Sequence, residues 1–148
     1  MRVVGVGIDI VDLAVFRRRL ESQEGLAEEL FLTDEIEYCR ERARPWESYA
    51  ARFAAKEAAF KALGRGLSQG LRWNQIEVVR ENSGAVGLRL SGPALTAAEE
   101  LEVEDFLLSM SHSGDNAIAV VMAVAGGVSS ADLKGPALEP DPESTGRS

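Results

Sequence analysis

The chain has 148 residues, 45% of them apolar and 27% charged, which suits one compact domain with a core and some tail and excludes a wholly disordered chain or a fibrous repeat. Against 16 Lys and Arg stand 24 Asp and Glu, a formal charge of −8, so a nucleic-acid coat, which needs a basic stripe, is not expected. A single cysteine, Cys39, and a single histidine exclude an internal disulfide and a zinc cluster built on those residues alone. No apolar run is long enough for a membrane span, so the expectation is a soluble, cytoplasmic protein without a signal peptide.

From Val3 to Ile10 the chain alternates with period two. Val4, Val6, Ile8 and Ile10 take one face, and Gly5, Gly7 and Asp9 the other. This predicts a strand whose second face stays bare until a carboxylate appears near its end. Asp12 stands where a helix N-cap belongs, ahead of Leu13, Phe16 and Leu20 at helical spacing. A second short helix is expected to follow Thr33 as its cap, with Ile36 and Cys39 packed inward. Pro45 interrupts the chain before a longer helix over about Trp46 to Leu63. Tyr49, Phe53, Phe60 and Leu63 form its apolar stripe, and Gly64 is its expected stop.

Gly64, Gly66 and Gly70 mark a loop, followed by short strands near Ile76–Arg80 and Val86–Leu90. Pro93 to Leu101 reads as a helix with proline in its first turn. Phe106–Ser111 and Ala117–Val124 read as a hairpin about the turn residues Ser113, Gly114, Asp115 and Asn116. Beyond it the large apolar residues run out and Gly, Ser and Pro take over. The domain is therefore placed at 1–126 and a disordered tail at 127–148. Strand, helices, two strands, helix, two strands is an α+β order, not the regular alternation of a doubly wound nucleotide fold.

Glu57 and Lys61 stand four apart on the long helix, above Gly64 at its end. Alone they read most simply as a solvated ion pair, as Asp9 alone reads as a turn or cap residue. If the fold brings them together, two carboxylates suit Mg²⁺, which leaves its other positions to water and phosphate oxygens, and the lysine is a point charge for a phosphate.

The stretches Gly5-Val6-Gly7-Ile8-Asp9-Ile10-Val11-Asp12 and Arg52-Phe53-Ala54-Ala55-Lys56-Glu57-Ala58, with Lys61-Ala62-Leu63-Gly64, resemble the holo-[acyl-carrier-protein] synthase group of 4′-phosphopantetheinyl transferases. Gly64-Arg65-Gly66-Leu67, Trp73-Asn74-Gln75-Ile76-Glu77-Val78 and Leu108-Ser109-Met110-Ser111-His112-Ser113 match in order. The resemblance covers about residues 3 to 125. It implies a mainly antiparallel sheet with a long helix packed on it. It also implies transfer of the phosphopantetheine arm of coenzyme A to a serine of an apo acyl carrier protein, or of a polyketide or peptide carrier domain. In that reading Asp9 and Glu57 hold Mg²⁺ with the pyrophosphate, and Glu57 or a water on the metal takes the serine proton. Lys61 balances phosphate charge. Arg52 would bind the nucleotide end, and Gly64 and Gly66 would let their loop approach the cofactor. His112 and Ser113 become coenzyme A contacts. The group's small members are trimers with sites between subunits, so Asp9 and Glu57 need not meet the ligand of Arg52 within one chain.

Two positions depart from the family pattern. Val15 stands where the family usually has an arginine that meets the carrier, so Arg17 and Arg18 on the next turn are the candidate carrier contacts. Gly84-Ala85-Val86 replaces the usual Gly-Lys-Pro. The same arginines also read as a solvated helix face. A coenzyme A or carrier-binding protein of this fold without transferase activity is the alternative reading, and an unrelated metal-dependent phosphohydrolase a third.

Overall fold

The computed structural model describes residues 1–126, so the expected tail at 127–148 lies outside the described residues. The elements run β1 (Arg2–Asp12), α1 (Leu13–Ser22), α2 (Leu26–Leu30), α3 (Thr33–Arg40), α4 (Pro45–Leu63), β2 (Ile76–Arg80), β3 (Val86–Leu90), α5 (Gly92–Glu100), β4 (Asp105–Ser113) and β5 (Asn116–Ala125). Local chemistry sets several of these boundaries. The Asp12 carboxylate accepts the Val15 N–H at 2.9 Å and caps α1. Gly64, at φ 68°, ends α4 in the left-handed region, where a side chain would be strained. One expected cap is wrong: α3 begins at Thr33 itself, with Leu32 in the cap position. Glu35 performs the capping instead, reaching back to accept the Leu32 N–H at 3.1 Å.

β5 is the middle strand of an antiparallel sheet ordered β1-β5-β4, and β2 and β3 form a separate antiparallel pair. The fold is thus α+β, with the long helix α4 laid across the three-stranded sheet. Small residues allow that contact. A Cβ on Gly5 would lie 1.9 Å from the Ala62 carbonyl oxygen, and one on Gly7 1.8 Å from that of Ala58. Both obstacles are backbone, so neither position accepts a side chain without moving the helix. The bare face of β1 therefore serves approach of a backbone, that of α4. Ala117, Ala119 and Ala123 of β5 are buried on this same inner side, beside Ala54, Ala55, Ala58 and Ala62 of the helix.

The larger apolar residues of β1 point the other way. Val6, Ile8 and Ile10 are 55%, 54% and 60% exposed. They register with Met122, Val120 and Ile118 of β5, so the outer sheet face carries a continuous apolar surface. An apolar surface of this kind on a folded chain marks a contact with another molecule.

α4 is buried on more sides than its aromatic stripe suggests, for Arg52 and Lys56 are buried with it. The Lys56 ammonium donates to Glu35 Oε1 at 2.7 Å and to the carbonyls of Trp73 and Ile76 at 3.2 and 2.6 Å. Glu35 Oε2 accepts the Val78 N–H at 3.2 Å. This buried pair ties α3, α4 and the start of β2 together. Burial holds the Lys56 ammonium below its ordinary pKa, against the pull of Glu35. Burial also pushes the Cys39 thiol up to about 11, so it stays protonated and inert in the fold.

Candidate active site

Asp9 projects from the inner face of β1 and Glu57 from α4, and both line one cleft with Asp12, Val15, Arg19 and Phe53. Glu57 also lines the adjoining cleft, of about 520 Å³, with Lys61, Gly64, Arg65, Gly66 and Leu67. Such a volume suits a small-molecule site. The expected Glu57–Lys61 pairing along the helix is not the one formed. Lys61 Nζ crosses to β1 instead, donating to Asp9 Oδ1 at 3.1 Å and the Ile8 carbonyl at 2.8 Å. Glu57 Oε1 accepts the Trp73 indole N–H at 2.7 Å. Each carboxylate thus keeps one oxygen without a hydrogen bond from the described residues. Asp9 is neither a turn nor a cap residue, since it sits within β1 against the helix.

Arg52 lies five residues before Glu57, about 140° away around the helix. The structure places it in a different cavity, with Tyr38, Ser48, Arg80, Ser111 and His112. It is only 3% exposed, so it is not a surface charge. Its guanidinium packs 4.2 Å from the Tyr38 ring centroid, and Arg42 and Arg80 approach the same ring at 4.5 and 5.2 Å. Arg52 Nε is buried without a hydrogen-bond partner. A buried, unsatisfied donor among three guanidinium groups is suited to an anion. His112 and Ser113 are exposed at the end of β4, His112 lining the Arg52 cavity.

The sequence-derived residues therefore form two groups within one chain: Asp9, Glu57, Lys61, Gly64 and Gly66 in one, Arg52 and His112 in the other. Arg17 is engaged by Glu21 at 3.0 Å and stacks over Trp46 at 3.8 Å, while Arg18 is exposed. Arg19, which follows the candidate carrier contacts Arg17 and Arg18 in the same basic run, lines the Asp9–Glu57 cleft one turn beyond Val15. Its signal was the i, i+4 spacing from Val15 on one face of α1. Trp73 and Tyr38 were missed as site residues, because their partners lie on other elements.

Residues 5–121 match the ACPS model of the 4′-phosphopantetheinyl transferase superfamily. The chain belongs to this family. A holo-[acyl-carrier-protein] synthase of Geobacter sulfurreducens is 46% identical over 123 residues, covering 81% of this chain and 96% of that protein. The solved holo-[acyl-carrier-protein] synthase of Neisseria meningitidis superposes with a TM-score of 0.73 at 30% identity, covering 83% of this chain and 99% of that one. A Chronobacterium ammoniagenes ACPS–CoA complex gives a TM-score of 0.71 at 29% identity, over 82% of this chain and 97% of that one. In this ACPS chain the residues matched by motif are thus set out in two groups, one along the two adjoining clefts that share Glu57 and one at the Arg52 cavity.

Proposed function

We propose that the chain transfers 4′-phosphopantetheine from coenzyme A to a serine of an apo acyl carrier protein, releasing adenosine 3′,5′-bisphosphate. The observation that carries this reading is the convergence of Asp9 and Glu57 on one cleft, with Lys61 bound to Asp9. The serine oxygen attacks the β-phosphorus of the coenzyme A pyrophosphate in line. A bond forms from serine oxygen to phosphorus, and the bond from phosphorus to the bridging oxygen breaks. The electron pair leaves with adenosine 3′,5′-bisphosphate. Glu57 or a water in the cleft would take the serine proton, and Lys61 would offset charge on the phosphates. Positioning and charge neutralisation supply most of the rate in such a transfer.

The donor set, two carboxylates each with an uncommitted oxygen, fits Mg²⁺, which takes one or two carboxylates and leaves its other positions to water and phosphate oxygens. Asp9 and Glu57 would hold the ion, which would neutralise pyrophosphate charge when bound.

The nucleotide end, whose 3′-phosphate is dianionic, suits Arg52 and its orphan Nε, with His112 lining the same cavity and Ser113 next to it in β4. Because Arg52 opens into a different cavity from Glu57, one coenzyme A would use both groups when two copies contribute. The apolar outer face of β1 and β5 is the natural contact, and a homotrimer built on it is our reading. Val6→Asp on this face, pointing away from Asp9, is expected to convert the assembly to monomers in sedimentation velocity and to lower transfer sharply. An unchanged sedimentation coefficient would place the contact elsewhere.

Arg17 and Arg18, joined by Arg19 at the cleft, present positive charge from α1 to an acidic carrier. No described helix is long and apolar enough to cross a membrane; a cytoplasmic location belongs to this reading. The direct test incubates the protein with Mg²⁺, coenzyme A and apo carriers of the fatty-acid, polyketide and peptide classes, and weighs each carrier by intact mass spectrometry. A gain of one phosphopantetheine, abolished by EDTA, is expected. No gain from a folded protein that binds coenzyme A would overturn transfer in favour of a binding role.

A further inference from the structure

Each proposed metal ligand is held by a donor from another element: Asp9 of β1 by Lys61 of α4, and Glu57 of α4 by the indole of Trp73. The Trp73 indole N–H donates to Glu57 Oε1 at 2.7 Å, the shortest hydrogen bond made by either Asp9 or Glu57. Trp73 is itself held from two sides. Its carbonyl accepts from the buried Lys56 ammonium at 3.2 Å, and its ring packs against Phe53, centroids 6.1 Å apart. Lys56 is fixed in turn by Glu35 at 2.7 Å and the Ile76 carbonyl at 2.6 Å. A continuous path therefore runs from Glu35 of α3 through Lys56 and Trp73 to Glu57, one residue along α4 from Lys56. Lys56 and Glu57 are neighbours in sequence and point in different directions, one into the core and one into the cleft.

A glutamate on a helix samples several rotamers, and only some aim an oxygen at Asp9 across the cleft. A donor fixed to one oxygen selects among them and leaves the other oxygen committed to the ligand. This is how groups behind a ligand tune a metal site: losing one weakens metal affinity or activity by about 10- to 100-fold.

We propose that Trp73 is a positioning residue for Glu57, its indole N–H orienting the carboxylate toward the cation, with the Lys56–Glu35 pair holding Trp73 in register. The inference rests on the reading of Glu57 as a metal ligand and assigns its accuracy to a side chain that touches neither substrate nor ion.

Trp73→Phe is the informative change, since it keeps an aromatic ring against Phe53 and removes the donor, with a loss of ring volume that the unfolding control reads. Mn²⁺ serves as the probe, titrated into the full chain with coenzyme A present and followed by loss of the free-ion paramagnetic signal. Three proteins are compared: unchanged, Trp73→Phe and Glu57→Gln. Trp73→Phe is expected to loosen Mn²⁺ binding by about 10-fold or more. Its Mg²⁺ activation constant in the transfer assay should rise by a similar factor, while turnover at saturating Mg²⁺ recovers most of its value. A structural role for the ring alone would leave both metal constants unchanged, and that result overturns the inference. The two readings fail separately. If Glu57→Gln binds Mn²⁺ as the unchanged chain does, the metal reading falls, and this inference with it. If Glu57→Gln loses the ion and Trp73→Phe does not, only the inference falls. Thermal unfolding of Trp73→Phe within a few degrees of the unchanged chain, with weakened Mn²⁺ binding, separates positioning from damage to the fold.

Discussion

Replacing Glu57 by Gln is expected to reduce phosphopantetheine transfer at least about 100-fold while leaving the unfolding midpoint nearly unchanged. Gln has the same shape, and its amide oxygen still accepts the Trp73 indole N–H, so packing along α4 persists. What disappears is the negative charge that Glu57 brings to the cleft it lines with Asp9. Asp9→Asn tests the other wall in the same manner, since Lys61 keeps an acceptor on β1 in the Ile8 carbonyl. Intact-mass rates at saturating coenzyme A, with far-ultraviolet circular dichroism as the fold control, measure both. Full activity in either variant would remove the proposed metal site.

The second large effect falls on stability. Lys56→Met removes the ammonium from a site it shares with the Glu35 carboxylate and two backbone carbonyls. Glu35 would remain buried and negative, supported only by the Leu32 and Val78 N–H groups. Breaking a buried ion pair from one side costs about 3–5 kcal/mol, a large share of the stability of a domain this size. Urea denaturation should show this as a lower midpoint, with a larger share of the chain recovered as insoluble protein. Pairing the change with Glu35→Gln removes the stranded charge and keeps one acceptor for a backbone N–H, so the double variant should be more stable than Lys56→Met alone. A double variant as unstable as the single one would assign the loss to the two carbonyls rather than to the carboxylate.

Features that depend on a few neighbouring residues were readable in the sequence. Asp12 caps α1 because its carboxylate needs only the third residue ahead, and Gly64 stops α4 because the left-handed turn is local. The β4–β5 hairpin followed from its alternating strands and turn residues. What escaped depends on distant partners. α2 is five residues long and stands on the burial of Leu26 and Leu30, with no cap or periodicity of its own. Thr33 looked like the better cap by residue type, and lost that place because Glu35 reaches back while also serving Lys56. Lysine ordinarily reads as solvated, so the buried Lys56 was hidden until α3 and β2 were brought to it. In the site, Asp9, Glu57 and Lys61 were legible through the family's motifs. The partners they choose were not, because Lys61 to Asp9 spans 52 residues and Trp73 to Glu57 spans 16.

The alternation of β1 has a consequence for how this chain can vary over time. Its odd positions seat the helix at Gly5 and Gly7 and carry Asp9, while its even positions Val6, Ile8 and Ile10 form the outer apolar surface. Deleting one residue upstream within the strand would slide aliphatic side chains against the backbone of α4 and turn the glycines outward. The aspartate would leave its cleft in the same step. Substitutions on one side of β1 can be absorbed singly, whereas a change in its length strikes packing, chemistry and surface together. Length changes are therefore expected to collect in the turn at Gly84, where a hairpin loop can grow without shifting either face.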